Sequence, residues 1–310
     1  MSEIKNRLNF PTILQFEPIQ LCNAACFCCP YSWLKDDKEY LGKRMSREQI
    51  INVIHQFGQP LLDNNYSTGV INPFRYSDPL VCKDLELIFK ESIKYNIKIR
   101  ITTNGVSLTD KNIKLLEKYS DHLAPITISI IGSTQEDVKN YMEVNLNKTI
   151  EKLKLLSERK STLLKYLIVG IKTVTNTVDE EINSKNLRDK IIKLGINCKI
   201  KKSWETNRLG GHKTFKDKKI EGESRYVNGC GLTKSGSIFK NVHVMVDGDI
   251  VLCCDDATKE KTFGNIFKDG LLNTWNGPLK KEQELIYNKN WDKEKESLIC
   301  NNCSRAIFSK

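Results

Sequence analysis

Leu21-Cys22-Asn23-Ala24-Ala25-Cys26-Phe27-Cys28-Cys29-Pro30 follows an apolar run, Thr12-Ile13-Leu14-Gln15-Phe16-Glu17. Four thiols lie within eight residues, and Cys22, Cys26 and Cys29 have the spacing Cys-x3-Cys-x2-Cys. Thiolates this close in one loop can converge on a single metal centre. Three ligands on a four-iron cube leave one iron without a protein ligand. An open coordination position separates a reactive metal site from one that only holds a fold.

Working outward, Met45-Ser46-Arg47-Glu48-Gln49 opens a helix, with Ser46 as N-cap and Gln49 at capping-box distance. Ile50, Val53, Ile54 and Phe57 share one of its faces. Gly69-Val70-Ile71 runs into the turn-rich stretch 72–80. A helix is predicted over 83–95, and Ile97-Lys98-Ile99-Arg100-Ile101-Thr102 alternates as a strand does. It ends in the turn Thr103-Asn104-Gly105, with a helix starting near Thr109. The rhythm repeats: a strand over 126–130, helix over 134–159, strand over 167–171, helix over 179–194, strand over 197–201. Six strands alternating with helices predict a parallel sheet with right-handed crossovers. Such sheets carry their sites at the carboxyl ends of the strands. The cysteine loop, Ser77-Asp78-Pro79-Leu80 and Thr103-Asn104-Gly105 all fall there.

The pattern breaks after Trp204. Residues 204–229 are polar, with a Lys-rich tract at 213–219, and read as a linker or loop. A hairpin is predicted with strands Val244-Met245-Val246 and Ile250-Val251-Leu252 about the turn Asp247-Gly248-Asp249. Short helices are predicted around 271–275 and 280–287. Cys230, Cys253, Cys300 and Cys303 form a second candidate ligand set. Its spacing suits four-sulfur zinc and an iron–sulfur cluster equally. Cys254 is left over, either as a buried thiol or as a hydrogen-atom donor facing substrate.

The chain has 310 residues, 39% hydrophobic and 28% charged, which describes an ordinary globular protein. It has no apolar run of membrane-spanning length and no signal-peptide pattern, so a cytoplasmic location is expected. Eleven clustered cysteines in such a chain argue for metal over disulfides, while Cys82 and Cys198 read as small buried hydrophobes. The +11 formal charge would suit an acidic partner. The lysines are dispersed, however, with no basic block interleaved with aromatics, which argues against nucleic acid.

These residues resemble the radical SAM superfamily in its SPASM/twitch branch. The resemblance implies that Cys22, Cys26 and Cys29 bind a [4Fe–4S] cluster whose open iron holds S-adenosylmethionine. It further implies one-electron reduction to a 5′-deoxyadenosyl radical that abstracts a substrate hydrogen atom, with a flavodoxin- or ferredoxin-type electron donor. Ser77, Asp78 and Pro79 stand where the family has Gly-Glu-Pro, whose residues contact the methionine amino group. Asn104 lies in another family turn, and Ser129 and Lys172 stand at strand positions that face the cofactor. Gly248-x4-Cys253, Gly264-Asn265-Ile266, Trp275-Asn276 and Cys300-x2-Cys303 are similar to the twitch form of the auxiliary domain. That form holds a second [4Fe–4S] cluster, here on Cys230, Cys253, Cys300 and Cys303. Two departures stand out. The residue before the third ligand is Cys28 rather than an aromatic, and Asp78 is one methylene shorter than Glu.

The implied architecture is α/β: a partial (β/α)6 TIM-like barrel over 1–203, a linker over 204–229 and an auxiliary-cluster domain over 230–310. The layout is most similar to the butirosin-type aminocyclitol dehydrogenases. This points to a two-electron oxidation of a small polar substrate, with Arg208 orienting the substrate hydroxyl. The alternatives are an epimerase that returns hydrogen from Cys254 and a maturase of ribosomal peptides. The early first strand argues against an N-terminal peptide-recognition domain. A metal scaffold without catalysis is the non-enzyme alternative.

Overall fold

Strands β1 (Ile13–Phe16), β2 (Val70–Asn72), β3 (Lys98–Thr103), β4 (Leu123–Ile131), β5 (Leu167–Thr173) and β6 (Asn197–Lys202) stand side by side in chain order. Every neighbouring pair is parallel. The computed structural model describes residues 7–34, 42–66, 69–175, 177–202, 227–230, 232, 235–288 and 306–308. Parallel neighbours require crossovers, which α2 (Arg47–Asp63), α3 (Leu85–Ile93), α4 (Asp110–Lys118), α5 (Gln135–Met142), α6 (Leu146–Glu158) and α7 (Val178–Lys193) supply. One face of each strand is closed: Ile99 and Ile101, Ile126 and Ile128, Val169 and Ile171 are fully buried. The alternate residues Arg100, Thr102, Thr127, Ser129 and Lys172 are only half-buried and line the other face. This is the partial (β/α)6 barrel the sequence predicted.

The Ser46 capping box forms as expected, and Thr109 caps α4 through Asn112 N. The single helix predicted over 134–159 is two. Glu143 adopts a left-handed conformation (φ 57°) that ends α5, and the Asn145 side chain accepts from Lys148 N to start α6. Apolar periodicity carries across this break, so the sequence pattern hides it.

The predicted hairpin is shifted. Its strands are β8 (Asn241–Val244) and β9 (Asp249–Val251), and Met245–Gly248 is the turn, closed by Gly248 N donating to Met245 O with Gly248 at φ +90°. The shift follows from β8 pairing in parallel with β1, Ile13 against Asn241 through Phe16 against Val244. With β10 (Thr262–Asn265) antiparallel to β9, the sheet order is β10-β9-β8-β1-β2-β3-β4-β5-β6. The cysteine-bearing C-terminal region thus extends the barrel sheet at β1. β7 (Val227–Cys230) pairs antiparallel with β11 (Ala306–Phe308), and Cys230 stands opposite Ala306. Helices α8 (Leu271–Asn276) and α9 (Pro278–Asn288) follow β10. Gln56 of α2 ties this region down: its amide donates to Ile266 O and accepts from Leu271 N. Among the described residues no helix is long and apolar enough to cross a membrane.

Candidate functional site

The helix break at Glu143 has a direct consequence for the cysteine loop. The last carbonyls of a helix lack intrahelical partners. Those of Tyr141 and Met142 accept from Phe27 N and Ala25 N, both at 2.9 Å. The loop is therefore held across the carboxyl end of the sheet by the end of α5. The Phe27 ring rests against Tyr141 at 5.4 Å. Cys29 N donates to Cys26 O, and Ser32 closes the turn with its backbone on Cys29 O and its hydroxyl on Cys26 O. Helix α1 (Pro30–Leu34) follows.

Cys22 and Cys29 both pack against a small cluster of Tyr31, Tyr76 and Ala257, while Cys22, Cys26 and Cys28 pack against the main core. Burial pushes the Cys22 thiol up to about 11. It pushes Cys26 higher still, reinforced first by Cys29 and then by Cys28 and Cys22, and opposed by Lys172. Thiols so raised are inert at neutral pH and deprotonate when a metal binds them. Among the described residues, no three Cys, His, Asp or Glu side chains close on a single ion. A cube does not need them to, because each thiolate binds a different iron. A half-buried, acceptor-poor sulfur set with one neighbouring lysine fits that group.

Asp78 pins two strand ends together. Its Oδ1 accepts from Leu80 N at 2.9 Å; its Oδ2 accepts from Thr103 Oγ1 at 2.8 Å and Asn104 N at 3.0 Å. Its own N–H donates to Leu21 O, beside Cys22. Burial raises its pKa, against the three donors. The expected cofactor contact of Asp78 thus meets a carboxylate already engaged with protein donors. The buried Ser77 hydroxyl next to it has no hydrogen-bond partner among the described residues. Asn104 reaches back over the loop, with Nδ2 2.7 Å from Asn23 Oδ1 and 3.7 Å from Cys22 Sγ. Asn23 in turn donates to Ser107 Oγ. Ser129 stands opposite Gly170, and Lys172 is the register partner of Ile131 and Lys201.

The second cysteine turn, Cys253–Asp256, is fastened to this end of the barrel by two residues that sequence reasoning missed. Arg75 Nη2 donates to Asp256 O at 2.8 Å and to Cys253 O at 3.4 Å. The Tyr76 hydroxyl donates to Cys254 O. Behind them Glu17 is fully buried and accepts from Gln20 and from the Tyr76 backbone. Burial raises Glu17, while Arg75 draws it down. The one available signal was a charge at the end of an apolar strand, Phe16-Glu17. Cys253 is buried, and Cys254 is half-buried with Sγ 3.9 Å from Asp255 Oδ1. Arg208, Cys300 and Cys303 lie outside the described residues, and Cys230 is placed by its strand.

The Radical SAM superfamily model matches residues 16–184, and the SPASM iron–sulfur cluster-binding domain model matches 236–304. An S-adenosylmethionine-dependent nucleotide dehydratase of Lacinutrix mariniflava is 24% identical over 249 residues, 76% of this chain and 48% of that protein. The chain therefore spans about half the length of that relative. Among solved structures, BtrN in complex with AdoMet and 2-DOIA superposes with a TM-score of 0.62 at 16% identity, covering 99% of this chain and 94% of BtrN. Streptococcus suis SuiB bound to the precursor peptide SuiA gives 0.65 at 16%, covering 96% and 71%. Native anSMEcpe with AdoMet gives 0.64 at 14%, covering 96% and 89%.

Proposed function

Because the chain belongs to the radical SAM superfamily and carries a SPASM iron–sulfur domain, we propose that it oxidises a small polar substrate by two electrons, passing the second electron to an auxiliary cluster. Its cofactors are a [4Fe–4S] cluster, S-adenosylmethionine and auxiliary iron–sulfur. Together they supply a primary carbon radical able to take a hydrogen atom from an unactivated C–H bond. Cys22, Cys26 and Cys29 would hold the first cluster. The Ser77 hydroxyl, Asn104, Ser129 and Lys172 would face the methionyl part, and Asp78 would keep the two turns in register. Cys230, Cys253, Cys300 and Cys303 would hold the auxiliary cluster, and Arg208 would orient the substrate hydroxyl. The domain limits we assign are barrel 1–203, linker 204–229 and auxiliary domain 230–310.

One observation carries this reading. Tyr76 packs in the same cluster as Cys22 and Cys29 and also donates to Cys254 O. The cysteine loop and the second cysteine turn therefore share a wall, so an electron acceptor held on that turn would stand beside the barrel mouth. In an oxidation of a carbinol to a carbonyl, the carbon-bound hydrogen leaves as an atom and the hydroxyl proton leaves to solvent. The auxiliary cluster, held by Cys230, Cys253, Cys300 and Cys303, would supply the acceptor for the remaining electron.

A second reading, epimerisation, is favoured by the half-buried Cys254 at the same wall. The test is turnover of candidate sugars, aminocyclitols and peptides in D2O by the anaerobically reconstituted enzyme with S-adenosylmethionine and dithionite. We expect one 5′-deoxyadenosine per carbonyl formed, no solvent deuterium on carbon, and continued turnover in Cys254→Ala. Solvent deuterium that depends on Cys254 would establish the epimerase. A product lighter by water, without net oxidation, would replace both with an elimination of the kind the dehydratase relative is named for.

A further inference from the structure

Among the described residues, Arg75 is the one cation buried in the wall between the two cysteine turns, at 8% exposure. Only its Nη2 donates, to the carbonyls of Asp256 and Cys253. Nε and Nη1 are buried without a hydrogen-bond partner among the described residues. Isolating a guanidinium from water costs several kcal/mol unless opposite charge compensates it. The groups facing it are Glu17, Tyr76, Cys253, Cys254, Asp256 and His243. A guanidinium keeps its charge even when buried, and this one is held by hydrogen bonds on the carbonyls of the Cys253–Asp256 turn with two of its nitrogens unspent.

We propose that Arg75 is a positioning residue for the auxiliary cluster, holding the Cys253–Asp256 turn by its carbonyls and raising the cluster's reduction potential with its buried charge. The inference rests on the auxiliary-cluster reading above. A cluster ligated by thiolates carries net negative charge, and one more electron makes it more negative. A fixed cation beside it stabilises the reduced form over the oxidised form. Net charge, hydrogen bonding and burial are the properties through which a protein sets such potentials. Tyr76 supports the same geometry: its ring lies under the guanidinium at 5.4 Å while its hydroxyl holds Cys254 O. The consequence is directional: Arg75 makes the auxiliary cluster the better acceptor of the electron left on substrate.

The experiment isolates the auxiliary cluster by changing Cys22, Cys26 and Cys29 together to Ala. It then measures iron content and the midpoint potential by EPR-monitored redox titration. Absence of iron in this background would sink the auxiliary-cluster reading itself. With the cluster present, Arg75→Gln retains a donor for Asp256 O but removes the charge. It should lower the reduced-to-oxidised ratio at a fixed potential at least tenfold, about 59 mV for one electron. Arg75→Lys should stay close to the parent. An unchanged potential in Arg75→Gln, or equal shifts in both variants, would overturn the electrostatic role. If Arg75→Gln loses iron while Arg75→Lys keeps it, the charge serves assembly rather than the potential, and the electrostatic tuning is overturned. Loss in both assigns Arg75 to packing alone and overturns it.

Discussion

Replacing Asp78 with Ala should uncouple the two turns that frame the cysteine loop. The carboxylate serves three buried donors: Leu80 N at 2.9 Å, Thr103 Oγ1 at 2.8 Å and Asn104 N at 3.0 Å. In the Ala variant the Thr103 hydroxyl can rotate to another acceptor, but the two backbone N–H groups cannot. Each buried donor left without a partner costs about 1–3 kcal/mol. The expected loss is therefore about 2–6 kcal/mol. Relief of the desolvated charge, which already raises the Asp78 pKa, pulls the value toward the low end, about 3 kcal/mol. Asp78→Asn keeps one carbonyl oxygen, enough for the Thr103 and Asn104 donors, and turns an NH2 toward Leu80 N. It should lose about 1–3 kcal/mol. Urea unfolding of the apo-protein, followed by circular dichroism, measures both without involving a cluster. The order wild type, Asn, Ala is the critical result. An Ala variant within about 0.5 kcal/mol of wild type, a small fraction of one such lost bond, would refute the three-donor account. So would an Asn variant as unstable as Ala.

Cys29→Ser should remove the first cluster, seen as a loss of about four irons per reconstituted chain. Cys28→Ser should retain them, since the Cys-x3-Cys-x2-Cys spacing falls on Cys29, and Cys29 rather than Cys28 shares the Tyr31–Tyr76 cluster with Cys22. His243 is 3% exposed, and burial holds its pKa well below 6.5. Below about pH 6.5 the unfolded chain thus binds a proton that the native state refuses, and stability falls with pH by up to about 1.4 kcal/mol per unit. Urea midpoints between pH 7.5 and 5.5 should show a shallower fall in His243→Gln than in wild type. Gly105 sits at φ +85°, and a Cβ there would meet Thr149 Cγ2 at 2.8 Å. Gly105→Ala should destabilise by about 2 kcal/mol from left-handed strain and crowding, read as a lower thermal midpoint with weaker S-adenosylmethionine binding.

The barrel was legible because its signals are local. Alternation in β3 and β4, the Ser46 capping box and the Thr103-Asn104-Gly105 turn each follow from neighbours a few residues apart. The break at Glu143 was not legible, since Val138, Met142, Leu146 and Leu153 keep an apolar face across it. The hairpin register was missed for a related reason. Val242, Val244, Val246, Ile250 and Val251 are all buried, so alternation alone does not say where the strand starts. Pairing with β1 chooses Asn241–Val244.

By itself, the sequence determined that three thiols share one loop, that this loop follows the first strand, and that parallel strands carry their turns to the same end. These are consequences of spacing and period. What only tertiary structure decided is what surrounds that loop. The carbonyls of Tyr141 and Met142 hold it, Asp78 joins its two framing turns, and Arg75 and Tyr76 bind it to a cysteine turn about 180 residues away (178 between Tyr76 and Cys254). These contacts depend on which buried donors and charges lack a partner once the sheet closes. Residues far apart in the chain settle that by finding one another in a place without water.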